Sequence, residues 1–292
     1  MKKKIVVTDH PTVAIIGANG QLGSDLVEVF GKDVIPLTRR DIDITDADQC
    51  ISVIKEVNPN VVINTAAFHD VKKCEFDQDS AYNVNSAGAK NVANACFNLK
   101  CNAINCYIST DYVFDGTSGN YTENDQTRPV NVYGQSKLNG EVNTIVNTPC
   151  HYVFRVSSLF GKTDSSCKGP NFIEKIMAQK DKDEIVVDDV TAMSPTYTRH
   201  ASIIIRDAIY NKIPYDTYHV CNTGRVTWYK FARKVFALTG IETPIRPSYE
   251  RRTDVRIPVD SSMSNKRIAS LGIKPAPWMD GLREYLKEKN YV

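Results

Sequence analysis

The chain has no apolar run near the ~18–20 residues that a membrane-spanning helix needs, so a helical membrane anchor is not expected. It has no excess of one charge. Its 36 basic residues stand against 34 acidic ones, and the net charge of +2 leaves no electrostatic footprint for nucleic acid or an acidic membrane surface. It has no CxxC pair among its eight cysteines, at 50, 74, 96, 101, 106, 150, 167 and 221. The five-residue spacing of Cys96, Cys101 and Cys106 is not a zinc-ligand spacing, and no acidic cluster argues for another metal. Internal repeats and low-complexity tracts are missing too. The opening "MKKKIVVT" is basic and apolar but too short for a signal peptide, and no small-residue cleavage site follows it. Reduced thiols are therefore expected, mostly as small buried hydrophobes, in a cytoplasmic protein.

What is there is ordinary in bulk and patterned in detail. With 292 residues, 42% hydrophobic and 24% charged, the chain can bury a large core and divide into two domains. Strand-like runs at 12–17, 33–38, 60–67, 102–110 and 151–158 alternate with helical stretches at 21–30, 46–57, 80–99 and from Tyr133 onward. Short apolar runs between amphipathic helices predict βαβ units, hence a Rossmann-like, doubly wound parallel sheet. Beyond residue 160 the rhythm loosens. A short helix is predicted over 171–179, late strands over 184–189 and 217–222, and an amphipathic helix over "PWMDGLREYLKEK". The segment 243–265, rich in Pro, Arg and Ser, is expected to line a site or cover a partner domain. The first ten residues precede the first strand and are expected to form an extension.

"GANGQLG" puts Gly17, Gly20 and Gly23 after the first strand and into the first helix. Glycines there allow a tight turn and close approach of backbone to a pyrophosphate, which the helix N-terminus attracts. The spacing is GxxGxxG rather than GxGxxG. Dinucleotide binding follows from its strand–turn–helix setting. About 20 residues on, an acid that bonds the ribose 2′-OH would mark NADH. That window reads "LTRRDID", where the Arg39 and Arg40 guanidinium groups suit a 2′-phosphate. NADPH is the expected cofactor, and Asp41 keeps NADH as the competing choice.

"NVYGQSKLNGE" holds Tyr133 and Lys137 four residues apart at the start of a predicted helix. With 14 Tyr in the chain, chance supplies about one such Tyr–Lys pair, and Tyr285–Lys289 is a second. The latter is read as the solvated face of a C-terminal helix. Tyr133 has more support. "ISTDYVFDG" ends the fourth strand, placing Ser109, Thr110 and Asp111 at its carboxyl end, where open α/β sheets bind ligands. A strand-end hydroxyl followed by YxxxK resembles the short-chain dehydrogenases/reductases.

The blocks "GANGQLG", "DIDITD", "NTAA", "STDYVFDG", "RPVNVYGQSKLNGE", "PNF", "SPT", "TWYKFA" and "RIPVDSSMSNKRI" together resemble the dTDP-4-dehydrorhamnose reductase family. The resemblance implies an NADPH-dependent reductase acting on the C4 ketone of a nucleotide-linked 4-keto-6-deoxyhexose. It implies an NADP(H)-binding domain over 1–160, completed by elements within 184–222, and a sugar-nucleotide domain from 161–183 and 223–292. Tyr133 would donate the proton, with Lys137 lowering its pKa and bonding the nicotinamide ribose, and Thr110 would hold the substrate carbonyl. Asn19, Gln21 and Leu22 join the glycines as cofactor contacts, with Arg39, Asp43, Ile44, Ala66 and Ala67. Asp111, Asn171 and Arg256 join the substrate side, with His69 and Ser158. Reductases of this class often dimerise, so the resemblance allows a homodimer and leaves the oligomeric state open.

Three stretches depart from the family pattern. "AAFHDVKKCE" has His69 where Thr is common and Lys72 where Asp is common. "RVSS" puts Ser158 in place of a Trp, and "RIP" stands for "RRP". All bear on the sugar pocket. Cys74 and Lys175 match positions of bifunctional epimerase/reductases that make UDP-rhamnose, which implies proton transfer at C3 and C5. The competing class is non-catalytic: the regulatory subunit of methionine adenosyltransferase shares this fold and "DYVFDG" and binds NADP.

Overall fold

A computed structural model describes residues 11–98, 103–163, 169–250 and 254–292; the expected N-terminal extension lies outside these residues. Strands β1 (Val13–Ile16), β2 (Val34–Leu37), β3 (Val61–Asn64), β4 (Ile104–Thr110), β5 (His151–Val156) and β6 (Thr217–His219) form one parallel sheet. Their order is β6–β5–β4–β3–β1–β2. Val13 is in register with both Val34 and Val61, so the chain leaves β1 toward one edge, returns, and builds outward on the other side. The strand order reverses at β1, and a crevice opens there at the carboxyl ends of the strands.

The helices are α1 (Gln21–Phe30), α2 (Ala47–Val57), α3 (Val71–Phe76), α4 (Gln78–Tyr82), α5 (Gly88–Asn98), α6 (Val132–Asn147), α7 (Phe172–Met177), α8 (Thr198–Tyr210), α9 (Trp228–Thr239), α10 (Lys266–Ser270) and α11 (Trp278–Glu288). Alternation along β1 explains the two layers. Val13 and Ile15 pack with Leu22, Leu26 and Phe30 of α1 and Ile204, Ile205 and Ala208 of α8. Ala14 and Ile16 face the other way, against Cys50 and Ile54 of α2 and Val92, Ala95 and Cys96 of α5. Both sheet faces are dry, which is why the strands read as unbroken apolar runs.

A separate core joins α7, α9 and α11 through Ile173, Ile176, Phe231, Val235, Leu282, Tyr285 and Leu286. The predicted strand at 184–189 belongs with this core. Ile185–Asp188 pairs in parallel with Ile245–Ser248, inside the segment that showed little periodicity, and not with the central sheet. Residues 258–264 of that same segment cover the loop after β4, where Asp260 N donates to Gly116 O and Tyr121 N to Ser262 O.

Four local readings need correction. The helix expected over 80–99 is broken by a π-helical turn at Asn83–Ala87. Helix α3 was not anticipated. Strand β5 stops at Val156, because Ser158 takes a left-handed backbone (φ 42°) that an extended strand cannot continue through. Tyr285 is fully buried rather than on a solvated face.

Candidate active site

The crevice is a cavity of about 510 Å³. Its floor is the loop from β1 to α1. Gly17 has φ 80°, and a Cβ there would sit 2.5 Å from Thr65 Oγ1. A Cβ on Gly23 would lie 2.1 Å from Gly17 O, so this glycine lets α1 pack onto the turn. Gly20 differs: the nearest atom to its Cβ would be Gly17 O at 3.2 Å, and the residue lines the cavity. Gly20 is also the N-cap of α1, with no side-chain cap, so the first-turn N–H groups of α1 are left for a ligand. Asn19, Gln21, Leu22, Ala66 and Ala67 line the same floor.

At the end of β2 the two arginines part. Arg39 lines the cavity with its side chain 85% exposed and reaches Asp43 at 3.5 Å. Arg40 is outside the wall. Asp41 is folded back on its own turn, accepting from Thr38 N at 2.8 Å and Thr38 Oγ1 at 2.7 Å, and does not line the cavity. Asp43 Oδ1 accepts from Thr45 N and Oγ1, bonds that hold its carboxyl below the usual range, Thr45 N contributing most. Ile44, beside it, lines the cavity and packs on Gly88.

The opposite wall carries the hydroxyls and the lysine. Asn131 N-caps α6, accepting from Gly134 N at 2.8 Å, and Glu75 Oε1 accepts from Val132 N at 2.8 Å. These two bonds fix the first turn of α6, and with it Tyr133. The Tyr133 hydroxyl is hydrogen-bonded to Thr110. Thr110 Oγ1 donates to Asp111 Oδ1 at 3.0 Å and accepts from Tyr112 N at 3.2 Å. Lys137 is 2% exposed; its Nζ donates to Ile108 O at 2.6 Å and lies 4.1 Å from the Tyr107 ring centroid.

Burial holds the Tyr133 phenol well above its ordinary value, and the Thr110 hydrogen bond offsets this only in part. Burial also moves the Lys137 ammonium down from 10.5 to about 7, with Glu141 opposing the shift. Two groups buried side by side both shed charge, so the phenol stays protonated and the lysine titrates near neutrality.

The structure sorts the other expected residues. His69, Ser158, Asn171 and Lys175 line the cavity. His69 Nδ1 lies 3.3 Å from Ala67 O. Asn171 is committed to capping α7: Oδ1 accepts from Ile173 N and Glu174 N, while Nδ2 donates to Gly161 O and Tyr285 Oη. Asp111 also borders the cavity, but its carboxylate is engaged by Thr110, by Ser157 at 2.8 Å and by Ser261 at 2.6 Å. Burial raises its pKa against these bonds. Arg256 and Cys74 do not line the cavity. Arg256 is exposed and contributes its carbonyl to Asn131 Nδ2. Cys74 is fully buried, its thiol 3.4 Å from Phe68 O, and it is near enough to the Tyr133 phenol to act on its charge.

Sequence reasoning missed Asn85. It sits in the π-helical turn and holds both backbone groups of Phe68, accepting from N and donating to O at 2.9 Å each. It also donates to Ser136 Oγ, and Ser136 donates to Tyr133 O. One buried amide thus ties the cofactor-side loop to the helix of Tyr133. The signal was an Asn-rich "NVNSA" inside an apparent helix, since Asn is a poor helix-interior residue.

The arrangement is that of a nicotinamide-dependent carbonyl reductase: a phosphate-binding loop, an exposed arginine at the β2 end, and a protonated phenol beside a hydroxyl and a buried lysine. Known proteins carry the same plan. The spore coat polysaccharide biosynthesis protein SpsK of Bacillus subtilis is 34% identical over 290 residues, covering 95% of this chain and 98% of its own. The dTDP-4-dehydrorhamnose reductase of Aggregatibacter actinomycetemcomitans is 32% identical, covering 92% and 96%. The crystal structure of a dTDP-4-dehydrorhamnose reductase from Bacillus anthracis in complex with NADP superposes with a TM-score of 0.88 at 33% identity, covering 94% and 98%. A UDP-glucose 4-epimerase from Thermus thermophilus, TM-score 0.77 at 18% identity, shares the fold. The profile described as the RmlD substrate binding domain matches residues 11–291, and with relatives of this identity and coverage the chain belongs to that family, the family of the dTDP-4-dehydrorhamnose reductases.

Proposed function

We propose that this chain is an NADPH-dependent reductase of the C4 ketone of a dTDP-linked 4-keto-6-deoxyhexose. The observation that carries it is the meeting of Thr110, Tyr133 and Lys137 with the glycine loop around one cavity. The residues fit the cofactor. Gly20 leaves its Cβ space to the cavity, the first turn of α1 has no side-chain cap, and Arg39 offers a cation for a 2′-phosphate. Bound there, NADPH supplies the hydride. Tyr133 supplies the proton to the C4 oxygen as it becomes an alkoxide. Thr110 orients the carbonyl and the phenol toward each other, and Lys137 holds the cofactor ribose. The regulatory-subunit alternative is not favoured, because Thr110, Tyr133 and Lys137 all line the cavity. Reductase activity is proposed, and epimerisation through Cys74 and Lys175 is an outcome that the product assay decides. The buried free thiols suit a reducing cytoplasm, and a homodimer is the assembly to look for by light scattering.

The test is a product assay. Pure protein is incubated with NADPH and dTDP-4-keto-6-deoxyglucose, with and without a separate 3,5-epimerase, in deuterated water. Rhamnose nucleotide formed only with the added epimerase supports the proposal. Deuterium at C3 and C5 without it would restore the epimerase reading, and no NADPH oxidation with or without the epimerase would refute reduction.

Two further results are expected. Arg39→Ala should raise KM for NADPH roughly tenfold and leave KM for NADH within about twofold, because only the former carries the phosphate. Equal effects on both would remove Arg39 from cofactor choice. The second concerns pH. A lysine is charged below its pKa, and the Lys137 value is about 7. The ammonium is therefore present at acid pH and lost as pH rises through about 7. kcat/KM for NADPH, which reports the free enzyme, should fall along that limb. A flat profile from pH 6 to 9 would show that the charge of Lys137 is not needed.

A further inference from the structure

Helix α7 presents two faces. Phe172 and Lys175, three residues apart, line the cavity. Glu174 points the other way, into the C-terminal end of the chain. Its carboxylate accepts from Tyr285 Oη, from Tyr291 Oη at 2.5 Å and from Lys289 Nζ at 3.3 Å. Tyr285 Oη in turn accepts from Asn171 Nδ2 at 2.9 Å, so the cap of α7 and the carboxylate share one tyrosine. The chain end is bent to make this contact. After α11, Asn290 takes a left-handed backbone (φ 56°), Tyr291 N bonds back to Leu286 O at 2.9 Å, and the Tyr291 ring returns to α7.

A helix of six residues has little stability of its own. Its place is set by what holds it. On the cavity side Phe172 packs against Trp228, ring centroids 4.5 Å apart and planes tilted by 46°, and on the far side stands the carboxylate cluster. Several charge-assisted hydrogen bonds to one half-buried acid make a stronger tether than a surface ion pair.

We propose that Glu174, clasped by Tyr285, Lys289 and Tyr291, is a positioning residue that sets Phe172 and Lys175 in the wall receiving the sugar nucleotide. The last turn of the chain is then a functional part of substrate binding and has no part in cofactor binding. The inference rests on the reductase reading for its kinetic arm, but its spectroscopic arm is independent of turnover. Trp228 is one of two tryptophans in the chain, so a Trp278→Phe background leaves it as sole reporter of α7.

In that background and in the otherwise native full-length protein, Glu174→Ala and Tyr291→Phe are compared. Glu174→Ala should raise KM for the keto-sugar nucleotide about tenfold, with KM for NADPH within about twofold, and Tyr291→Phe about threefold. The double variant should be no worse than Glu174→Ala, since both act through one clasp. Trp228 emission should shift to the red as Phe172 moves off it. An unmoved emission with unchanged KM values would overturn the proposal. So would a parallel rise of both KM values tracking a fall in Tm, which is the mark of general destabilisation. If the native protein reduces no keto sugar, the reductase reading fails, while the emission of Trp228 still decides whether Glu174 places α7.

Discussion

Tyr133→Phe should lower kcat by about a thousandfold while leaving the Kd for NADPH within about twofold, because general acid catalysis contributes roughly 10²–10⁴ and only the hydroxyl is removed. The ring remains to make its edge contact with Tyr112 at 5.8 Å, and α6 keeps its caps from Asn131 and Glu75. Loss of the hydrogen bond to Thr110 costs about 1 kcal/mol of stability, too little to unfold the protein. The pH profile sharpens the test. Burial raises the phenol's pKa, so Tyr133 is protonated throughout the working range and its loss cannot create the alkaline limb. That limb belongs to Lys137. The Phe variant should therefore keep the same pH dependence of NADPH binding as the native protein, at a much lower turnover. A kcat within tenfold of native would show that another group, or water, protonates the alkoxide. It would make Tyr133 a substrate contact only.

Sequence and structure agree where the physical cause is local. The glycine loop was legible because Gly17 and Gly23 answer to backbone geometry within seven residues: a positive φ and a 2.1 Å clash. The strands of the sheet were legible because both faces are buried, which leaves an unbroken apolar run. The Tyr–Lys spacing was not decisive by itself. Tyr133–Lys137 faces the cavity, whereas Tyr285–Lys289, with the same spacing, serves the Glu174 clasp. What separates them is tertiary: which element lies opposite. The same holds for Asp111, placed correctly at the end of β4 but held by Ser261, 150 residues away in sequence. Local patterns carry no information about that partner. The setting of Cys74 was hidden for a related reason. Helix α3 was not foreseen, and its one buried position turns the thiol toward Phe68 O. Asn85 was hidden because a π-helical turn keeps the spacing of a helix closely enough to pass for one.

Glu141→Ala is expected to be the most destabilising single change near the site. Glu141 lies one turn after Lys137 on α6, is 2% exposed, and accepts from Arg155 Nε at 2.9 Å and Nη2 at 2.7 Å and from Ser109 Oγ at 2.5 Å. Arg155 Nη1 is buried with no hydrogen-bond partner among the described residues, so the guanidinium depends on this carboxylate and on the Phe114 ring 5.2 Å away. Removing Glu141 strands a buried cation, at a cost of about 3–5 kcal/mol. For a chain of this size that lowers Tm by roughly 10 °C. A second effect is separable. Glu141 is the influence that raises the Lys137 pKa against burial, so without it the alkaline limb of kcat/KM should move below about 7. The double change Glu141→Leu with Arg155→Met divides the two. Replacing the whole pair by apolar side chains of similar volume should restore most of the lost Tm, because no charge is left unpaired. It should not restore the limb, because the carboxylate is still absent. If Tm and the limb recover together, the pair acts on Lys137 through the packing of α6. If only Tm recovers, the carboxylate tunes the lysine directly, and the ion pair is kept for the charge state of the site rather than for the stability of the fold.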